Sequence, residues 1–146
     1  MKIRTYQDSD QNAIIQLWID CGLVAPQNNP IQDIKRKLKV NPEWFLVGLI
    51  DDKVMASCMV GYEGHRGWIN YLAVSPKEQR QGYATQMMGE AQRILTNANC
   101  PKINLQIRTS NLKVVAFYES LGYKEDKVTS LGLRLEVDLP FDRNLS

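Results

Sequence analysis

The apolar positions at the start of the chain predict a strand followed by two helices. Residues 3–6 form a short extended run, and apolar residues then recur at helical spacing over residues 9–20, behind an acidic N-cap. Residues 22–30, GLVAPQNNP, contain prolines and asparagines that interrupt a helix. A second helix is expected over residues 31–40, ending before Pro42.

The middle of the chain predicts a sheet and a helix that covers it. Residues 45–50 and 54–60 are apolar, β-branched runs joined by a short acidic turn, and GYEGHRG leads into a strand over residues 68–74. From Gly82 onward the apolar positions follow the period of a helix. One face of this helix is formed by Ala84, Met87, Met88, Ala91, Ile94 and Leu95. We expect that face to pack on the sheet.

The last third of the chain predicts a strand, then a helix, then two more strands. An alternating strand is expected from residue 103 to 108, a helix over residues 114–121, and strand-like segments at residues 123–128 and 131–137. No internal repeat or linker interrupts this order. The sequence therefore predicts one α/β (α+β) domain over residues 1–146, with a mixed, mostly antiparallel sheet of six to seven strands and about four helices.

The composition excludes several classes of protein. The chain has 146 residues, of which 44% are hydrophobic and 23% charged, as in an ordinary globular protein that buries one core. The formal net charge of +2 is too small for a protein that tracks nucleic acid or an anionic membrane. Any anionic ligand is therefore expected to be small.

The cysteines and the first residues of the chain bear on metal binding and location. Cys21, Cys58 and Cys100 are widely spaced, and the single His65 does not complete a zinc site with them. We expect no metal and three free thiols. The polar segment MKIRTYQDSD lacks the apolar stretch of a secretory signal, so we expect a cytoplasmic protein.

The segment EQRQGYATQMM places small residues at the start of the long helix. The first N–H groups of a helix have no internal partner and lie at the positive end of its dipole. Gly82 and Ala84 would let a phosphate approach these donors, and Lys77 and Arg80 would add charge. Alternatively, Gly82 only starts the helix and Ala84 only packs on the sheet. The sequence contains neither the Walker-type nor the dinucleotide-type glycine motif.

Two motifs resemble those of one family. Residues 79–84, QRQGYA, are similar to the Q/R-x-x-G-x-G/A signature of the GNAT superfamily of N-acetyltransferases, and stand between a strand and a long helix as they do there. Asn111 followed by AFYESLGY resembles that family's N-x-x-x-x-x-x-Y-E-x-x-G-[FY] segment. The resemblance covers nearly the whole chain, and GYEGHRG, CPKI and SLGLRL look most like the bacterial YpeA-type members.

The resemblance implies acetyl-coenzyme A as co-substrate, without a metal. Its pyrophosphate would lie on the loop amides of Arg80, Gln81, Gly82, Tyr83, Ala84 and Thr85. The pantetheine would pair like an extra strand with the backbone of Leu72, Ala73 and Val74. Asn111 matches a position that contacts the coenzyme arm, although it also fits a simple N-cap.

The resemblance also implies catalytic roles. Tyr118 matches the tyrosine that protonates the leaving thiolate; a core aromatic is the alternative interpretation. Many members carry a glutamate base where this chain has Trp68, and others carry one where Gln106 stands. Glu63 is the best acidic substitute, unless it only serves the hairpin turn, and His65 is the next.

The sequence thus favours an acetyl-CoA-dependent N-acetyltransferase acting on a primary amine, of a small molecule rather than a peptide. Residues 27–29 of the loop after the first helix are candidates for acceptor contacts, or for a solvated connection. Because glutamate is absent at positions 68 and 106, an alternative function stays open: a catalytically silent module that binds acyl-CoA as a sensor or regulator. Nucleotide-binding regulation is disfavoured without a triphosphate loop. A homodimer also stays open.

Overall fold

The computed structural model describes residues 1–142, which form one five-stranded sheet and four α-helices. The strands are β1 Lys2–Thr5, β2 Phe45–Ile50, β3 Lys53–Tyr62, β4 Gly67–Val74 and β5 Ile103–Asn104. The helices are α1 Gln11–Asp20, α2 Pro30–Lys37, α3 Tyr83–Asn97 and α4 Leu112–Ser120. Short 3₁₀ turns lie at Asp8–Asp10, Pro42–Trp44 and Pro76–Glu78.

The sheet is mixed and mostly antiparallel, as predicted. Its strands lie in the order β1-β2-β3-β4-β5, and every neighbouring pair is antiparallel except β4 and β5, which are parallel. The predicted α/β class and number of helices are confirmed. The predicted number of strands is too high, because residues 1–142 contain five rather than six or seven.

Helices cover both faces of the sheet. Alternate residues of β2 point to opposite faces, so Phe45 and Val47 join one apolar cluster while Leu46 joins the other. α1 and α2 pack on the first face, through side chains such as Trp18 and Ile34. α3 and α4 pack on the second face, and the predicted apolar face of α3 is confirmed by its buried residues, Met87, Met88, Ala91 and Leu95.

The segments expected to form the last two strands are not strands in the structure. Within residues 1–142, residues 124–139 make no backbone–backbone hydrogen bond, and β5 itself extends over only two residues. The alternation of apolar and polar residues there is real, but it needs a paired neighbour to become a strand. Within residues 1–142, no strand pairs with these segments.

Two further findings concern the helices and the thiols. No α-helix in the described part of the chain is long and apolar enough to cross a membrane. Cys21, Cys58 and Cys100 are free, and Cys58 is fully buried, so its apolar surroundings raise the pKa of its thiol to about 12.

Candidate active site

A β-bulge interrupts β4 at the place where the sequence predicted a binding strand. Ser57 of β3 lies opposite Ala73, but Met59 lies opposite Asn70, so Tyr71 and Leu72 together face one residue of β3. Tyr71 has a φ of 52°, in the left-handed region that bulky residues rarely adopt. The surrounding structure must therefore hold this residue in place.

Ser57 and Trp18 fix the bulge from the face covered by α1. The indole Nε1 of Trp18 donates to Oγ of Ser57 at 2.9 Å, and that hydroxyl donates to the carbonyl oxygen of Tyr71 at 2.8 Å. The rings of Trp18 and Tyr71 stack with centroids 3.9 Å apart. Both Trp18 and Ser57 are fully buried, so these bonds form where water cannot replace them.

Asp33 of α2 holds the side chain of the same tyrosine. The hydroxyl of Tyr71 donates to Oδ2 of Asp33 at 2.6 Å. Burial and this hydrogen bond to the carboxylate raise the pKa of the Tyr71 phenol well above its usual value. Tyr71 is therefore a neutral donor, and one bulge residue is tied to α1, α2 and β3.

The bulge also reverses the order in which β4 side chains face the two helical layers. Ile69 packs in the cluster of α3 and α4, and the alternation would place Tyr71 there as well. Tyr71 instead joins the cluster of α1 and α2, together with Ala73. Leu72 and Val74 consequently face α3 and α4.

The outer edge of β4 is open along the predicted pantetheine site. β4 pairs with β5 only at Gly67 and Trp68, so the backbone from Ile69 to Val74 has no strand beside it within residues 1–142. This open edge contains the three predicted residues Leu72, Ala73 and Val74. An extended ligand could pair there as an added strand.

The start of α3 lies next to this edge and has no cap. Gly82 is the N-cap residue with a φ of 82°, and no side chain caps the helix. A Cβ at Gly82 would meet no heavy atom within 4 Å, so the space beside this residue is open. Nε2 of Gln79 donates to the carbonyl oxygen of Val74 at 3.0 Å, which ties the loop to the end of β4.

The side chains of this loop differ in exposure. Arg80, Gln81 and Thr85 are exposed, whereas Tyr83 and Ala84 are half-buried against the cluster of α3 and α4. Arg80 also has a positive φ, of 64°. The loop thus presents main-chain donors and one cation to solvent, the arrangement that favours a small anion.

Tyr118 lies in the same apolar cluster as Val74, with Leu72 packed against it. Its ring makes edge contacts with Phe117 at 5.0 Å and Tyr123 at 5.4 Å between centroids. Burial, with smaller contributions from Cys58 and Tyr123, raises the pKa of the Tyr118 phenol above its usual value. The structure therefore shows Tyr118 as a neutral, buried core aromatic, and its role as the proton donor stays a prediction.

Asn111 is the N-cap of α4, two helical turns before Tyr118. Its side-chain oxygen accepts from the backbone N–H of Val114 at 3.4 Å. The capping role left open by the sequence is thus present. This cap uses the side-chain oxygen of Asn111. The amide nitrogen of the same side chain makes no hydrogen bond within residues 1–142.

Glu63 lies in the turn between β3 and β4. Its carboxylate accepts hydrogen bonds from the backbone N–H groups of His65 and Arg66 and from the indole of Trp68. The bond from Arg66 lowers the pKa of Glu63 most. Through the indole of Trp68, the carboxylate is tied to β4 four residues before Leu72. The expectation that Glu63 acts as the base stays a prediction.

The remaining predicted residues lie outside this cluster. His65 is exposed in the same hairpin turn as Glu63. Gln106 donates to the hydroxyl of Ser130 at 2.6 Å, beyond the end of β5. Asn29 caps α2 by accepting from the N–H of Ile31, so the loop before α2 has a structural role as well.

Sequence reasoning missed the group that shapes the bulge. Trp18, Ser57, Asp33 and Tyr71 come from four different elements, and β4 contains no Gly or Pro at the bulge to announce it. Within residues 1–142, no three His, Cys, Asp or Glu side chains are arranged to hold a metal ion.

Comparison with known sequences points to one family. The family model described as acetyltransferase (GNAT) family matches residues 11–123. Acetyltransferase YE1169 of Yersinia enterocolitica is 41% identical over 138 residues, which are 94% of this chain and 98% of that protein.

Solved structures share the fold. A transcriptional regulator from Bacillus halodurans superposes with a TM-score of 0.77 at 17% identity, over 92% of this chain and 99% of that one. AAC(6')-Iy in complex with the bisubstrate analogue CoA-S-monomethyl-acetylneamine superposes with a TM-score of 0.73 at 15% identity, over 91% of this chain and 97% of that one. At these identities the two structures support the fold alone.

Proposed function

Because the chain belongs to the acetyltransferase (GNAT) family, we propose that it transfers an acetyl group from acetyl-coenzyme A to a primary amine of a small molecule. The observation that carries this proposal is the open, bulged edge of β4 beside the uncapped N-terminus of α3. One surface of the fold thus offers main-chain pairing for an extended arm and main-chain donors for an anion. A coenzyme that joins a pantetheine to a pyrophosphate needs both.

The residues present fit this co-substrate. The N–H groups of residues 82–85 would hold the pyrophosphate, since no side chain caps this end of α3. Each charge–dipole contact contributes about 0.3–1 kcal/mol when exposed, so several donors and Arg80 are needed together. The main chain of Leu72, Ala73 and Val74 would pair with the pantetheine arm, and the free amide nitrogen of Asn111 would donate to it.

The bulge orients the donor for the reaction. When bound, the co-substrate supplies an activated acetyl carbon, and the amine nitrogen forms its new bond to that carbon while the carbon–sulfur bond breaks. Negative charge develops on the carbonyl oxygen, and a backbone N–H at the edge of β4 would stabilise it. Trp18 and Ser57 hold the bulge before substrate arrives, so this donor is pre-organised.

Tyr118 would give the proton that the departing sulfur needs. Its raised pKa keeps the phenol protonated at neutral pH. Proton transfer from this phenol to the departing sulfur would leave an amide and the free thiol of the coenzyme as products.

The proton released by the amine needs another path. The carboxylate of Glu63 already accepts three hydrogen bonds in its turn, and the bond from the N–H of Arg66 lowers its pKa most, so water would carry the proton away from the amine. Glu63 would receive the proton from this water. Orientation of the two substrates would then supply much of the rate.

The alternative function is a silent acyl-CoA-binding module. The specific observation in its favour is that Trp68 and Gln106, where relatives of the family carry a glutamate, are both engaged in hydrogen bonds to neighbouring side chains. Such a module would bind the coenzyme through the same edge of β4 and regulate a partner. It would catalyse no transfer.

Replacing Tyr118 by Phe separates the two functions. An amine panel is incubated with acetyl-CoA and free thiol release is followed, while calorimetry measures coenzyme A binding. For an enzyme we expect the variant to lose about 10²–10⁴-fold in kcat and to keep its affinity for the coenzyme. Phe117→Leu is the matched control, since it changes the neighbouring ring without removing a proton donor. Coenzyme binding without turnover by the wild-type protein on every amine would support the silent module instead.

A further inference from the structure

Asp33 of α2 lies one tyrosine side chain away from the bulge in β4. The hydroxyl of Tyr71 donates to Oδ2 of Asp33 at 2.6 Å, while the backbone of Tyr71 belongs to the bulge itself. Asp33 stands in the first turn of α2, directly after the loop that contains residues 27–29. The carboxylate, the end of this loop and the side chain of Tyr71 therefore lie on the face of the sheet that α1 and α2 cover.

The two faces of the open edge of β4 leave different amounts of room for an acceptor. Buried side chains fill the face of α3 and α4, and Leu72 and Tyr118 lie among them. On the other face Tyr71 is half-buried, and 26% of the Asp33 side chain is exposed. The inference below rests on the proposed function, in which the thioester lies at this edge. An amine would then reach it from the face of Tyr71 and Asp33.

The carboxylate of Asp33 keeps unused capacity to bind a cation. An ionised carboxylate offers about four positions to hydrogen-bond donors. Within residues 1–142 the side chain of Asp33 has two partners: the hydroxyl of Tyr71 on Oδ2, and Nη1 of Arg36 on Oδ1 at 3.3 Å. Positions on both oxygens therefore remain open to a donor that arrives from solvent.

The neighbouring charges do not neutralise Asp33 fully. Arg36 bonds Asp138 at 2.9 Å and Glu136 at 3.2 Å, both shorter than its bond to Asp33. Arg36, and to a smaller extent Arg134, lowers the pKa of Asp138. Three carboxylates thus face two guanidinium groups, which leaves one negative charge in excess. Because Asp33 has the longest bond to Arg36, the excess charge lies mainly on Asp33, and the group favours a further cation over an anion.

Space for a small molecule lies beside these residues. A cavity of about 670 Å³ is lined by Arg36, Asp138 and residues 132–136. Sites for small molecules typically enclose about 300–1,000 Å³. Burial raises the pKa of the Tyr71 phenol most, and the charges of Asp33 and Asp138 raise it further, so both carboxylates lie near this hydroxyl. The cavity and the open positions of Asp33 are therefore neighbours.

We propose that Asp33 determines acceptor specificity by binding a second cationic group of the substrate. The preferred acceptors are then small molecules that carry, besides the reacting primary amine, a further ammonium or guanidinium group. Tyr71 orients the carboxylate, and Asp33 holds the far cation while the near amine reaches the thioester. The two nitrogen groups must be separated by about the length of a tyrosine side chain, because that length separates Asp33 from the bulge.

A series of diamines tests the proposal on the full chain. Each α,ω-diaminoalkane is compared with the alkyl monoamine of equal carbon number, with acetyl-CoA as donor and free thiol release as the signal. The ratio of the two kcat/KM values should favour the diamine, pass through a maximum at one chain length, and fall as the salt concentration rises. A ratio near one at every length would overturn the proposal, whereas monoamine transfer in the same assay would still support the proposed function.

Asp33→Asn removes the charge and keeps the tie to the bulge, since the amide oxygen of Asn still accepts from the hydroxyl of Tyr71. The diamine-to-monoamine ratio should fall roughly five- to thirtyfold, mainly through KM, which lies between the value of an exposed ion pair and that of a hydrogen bond to a buried charge. Asp52→Asn, in the turn between β2 and β3, removes the same charge elsewhere and should leave the ratio unchanged. An equal loss for diamines and monoamines would make Asp33 only a support for Tyr71 and would overturn the proposal.

Binding gives a readout that does not need turnover. Calorimetry of the coenzyme A-loaded protein should show that the best diamine binds, that Asp33→Asn raises its Kd and that Asp52→Asn does not. Such a result without acetyl transfer would support the role of Asp33 and contradict the proposed transferase function. A diamine that does not bind, or binds equally to the Asp33→Asn variant, would overturn the inference whatever the activity.

Discussion

The indole Nε1 of Trp18 donates a hydrogen bond to Oγ of Ser57, 39 residues further along the chain, at 2.9 Å. The same hydroxyl donates to the carbonyl oxygen of Tyr71. Ser57 therefore joins α1 to the bulge of β4 through one buried oxygen, which accepts one hydrogen bond and donates one. Since the bulge lies in the strand that we assign to the coenzyme, we expect Ser57 to influence the shape of the site without touching substrate.

Ser57→Ala should weaken both the fold and the reaction. The change leaves the Trp18 N–H and the Tyr71 carbonyl without their partner in a buried place, which costs about 1–3 kcal/mol of unfolding free energy. We also expect a lower kcat, because the backbone donor on β4 loses its fixed position. Urea unfolding and acetyl transfer measure the two effects. Ser75→Ala, at a nearly buried serine just after β4, should change neither, and equal effects in both variants would contradict the role of Ser57.

Gly82→Ala should weaken coenzyme binding more than stability alone explains. The left-handed φ of 82° costs an alanine about 1–2 kcal/mol. Its methyl group would stand before the first N–H groups of α3, and losing one such contact should raise the Kd of coenzyme A roughly two- to fivefold. Calorimetry and thermal unfolding measure these changes. Gly89→Ala, in the exposed interior of α3, should raise stability by about 1 kcal/mol and leave the Kd unchanged. An unaltered Kd for Gly82→Ala would place the pyrophosphate elsewhere.

The ion pair of Arg4 and Asp10 should make stability fall in acid. Both oxygens of the buried carboxylate bond the Arg4 guanidinium, at 2.7 and 3.0 Å, and this lowers the pKa of Asp10 below its usual value. A lowered pKa contributes stability above the unfolded value of about 3.9, and this is lost as the pH falls through the folded value. Asp10→Asn should therefore cost about 1.5–3 kcal/mol at neutral pH and less in acid. Denaturant unfolding at several pH values measures it, with exposed Asp52→Asn as control.

Glu63→Gln should lower the melting temperature while changing kcat little. The amide that replaces one carboxylate oxygen turns a second donor toward the indole of Trp68, which opens the hairpin turn. We expect little change in kcat, because water takes the proton of the amine in the proposed mechanism. Thermal unfolding and the pH dependence of kcat measure these effects. A loss of kcat comparable to that of Tyr118→Phe, with the acidic limb of the profile removed, would instead make Glu63 the base.

Much of the fold could be predicted because local patterns determine it. The apolar face of α3 and the hairpin of β2 and β3 follow from periodicity and turn residues, and the structure confirms both. The start of α3 at Gly82 was also predictable, because the apolar positions take up the period of a helix directly after this glycine. Each of these features depends on residues that are near one another in the chain.

The bulge and the end of the sheet could not be predicted, for two different reasons. Tyr71 takes its unusual backbone conformation from Trp18, Ser57 and Asp33, which lie 53, 14 and 38 residues away, so no local pattern announces it. The alternation in residues 131–137 correctly shows which side chains share a face. It does not show whether a partner strand covers that face, which led to the two extra strands.

The reversal of side-chain facing at Tyr71 makes the number of residues in β4 as important as their identity. Ile69 and Leu72 now contact the same helical layer although they are three apart, which an unbroken strand forbids. Deleting Tyr71 would leave Leu72 two residues after Ile69, as in an unbroken strand, so Leu72 and Val74 would keep facing α3 and α4. What would be lost is the bulge, with its left-handed backbone and the phenol that bonds Asp33. A deletion elsewhere in β4 would instead exchange the two faces of the strand beyond it, since no extra residue is there to absorb it.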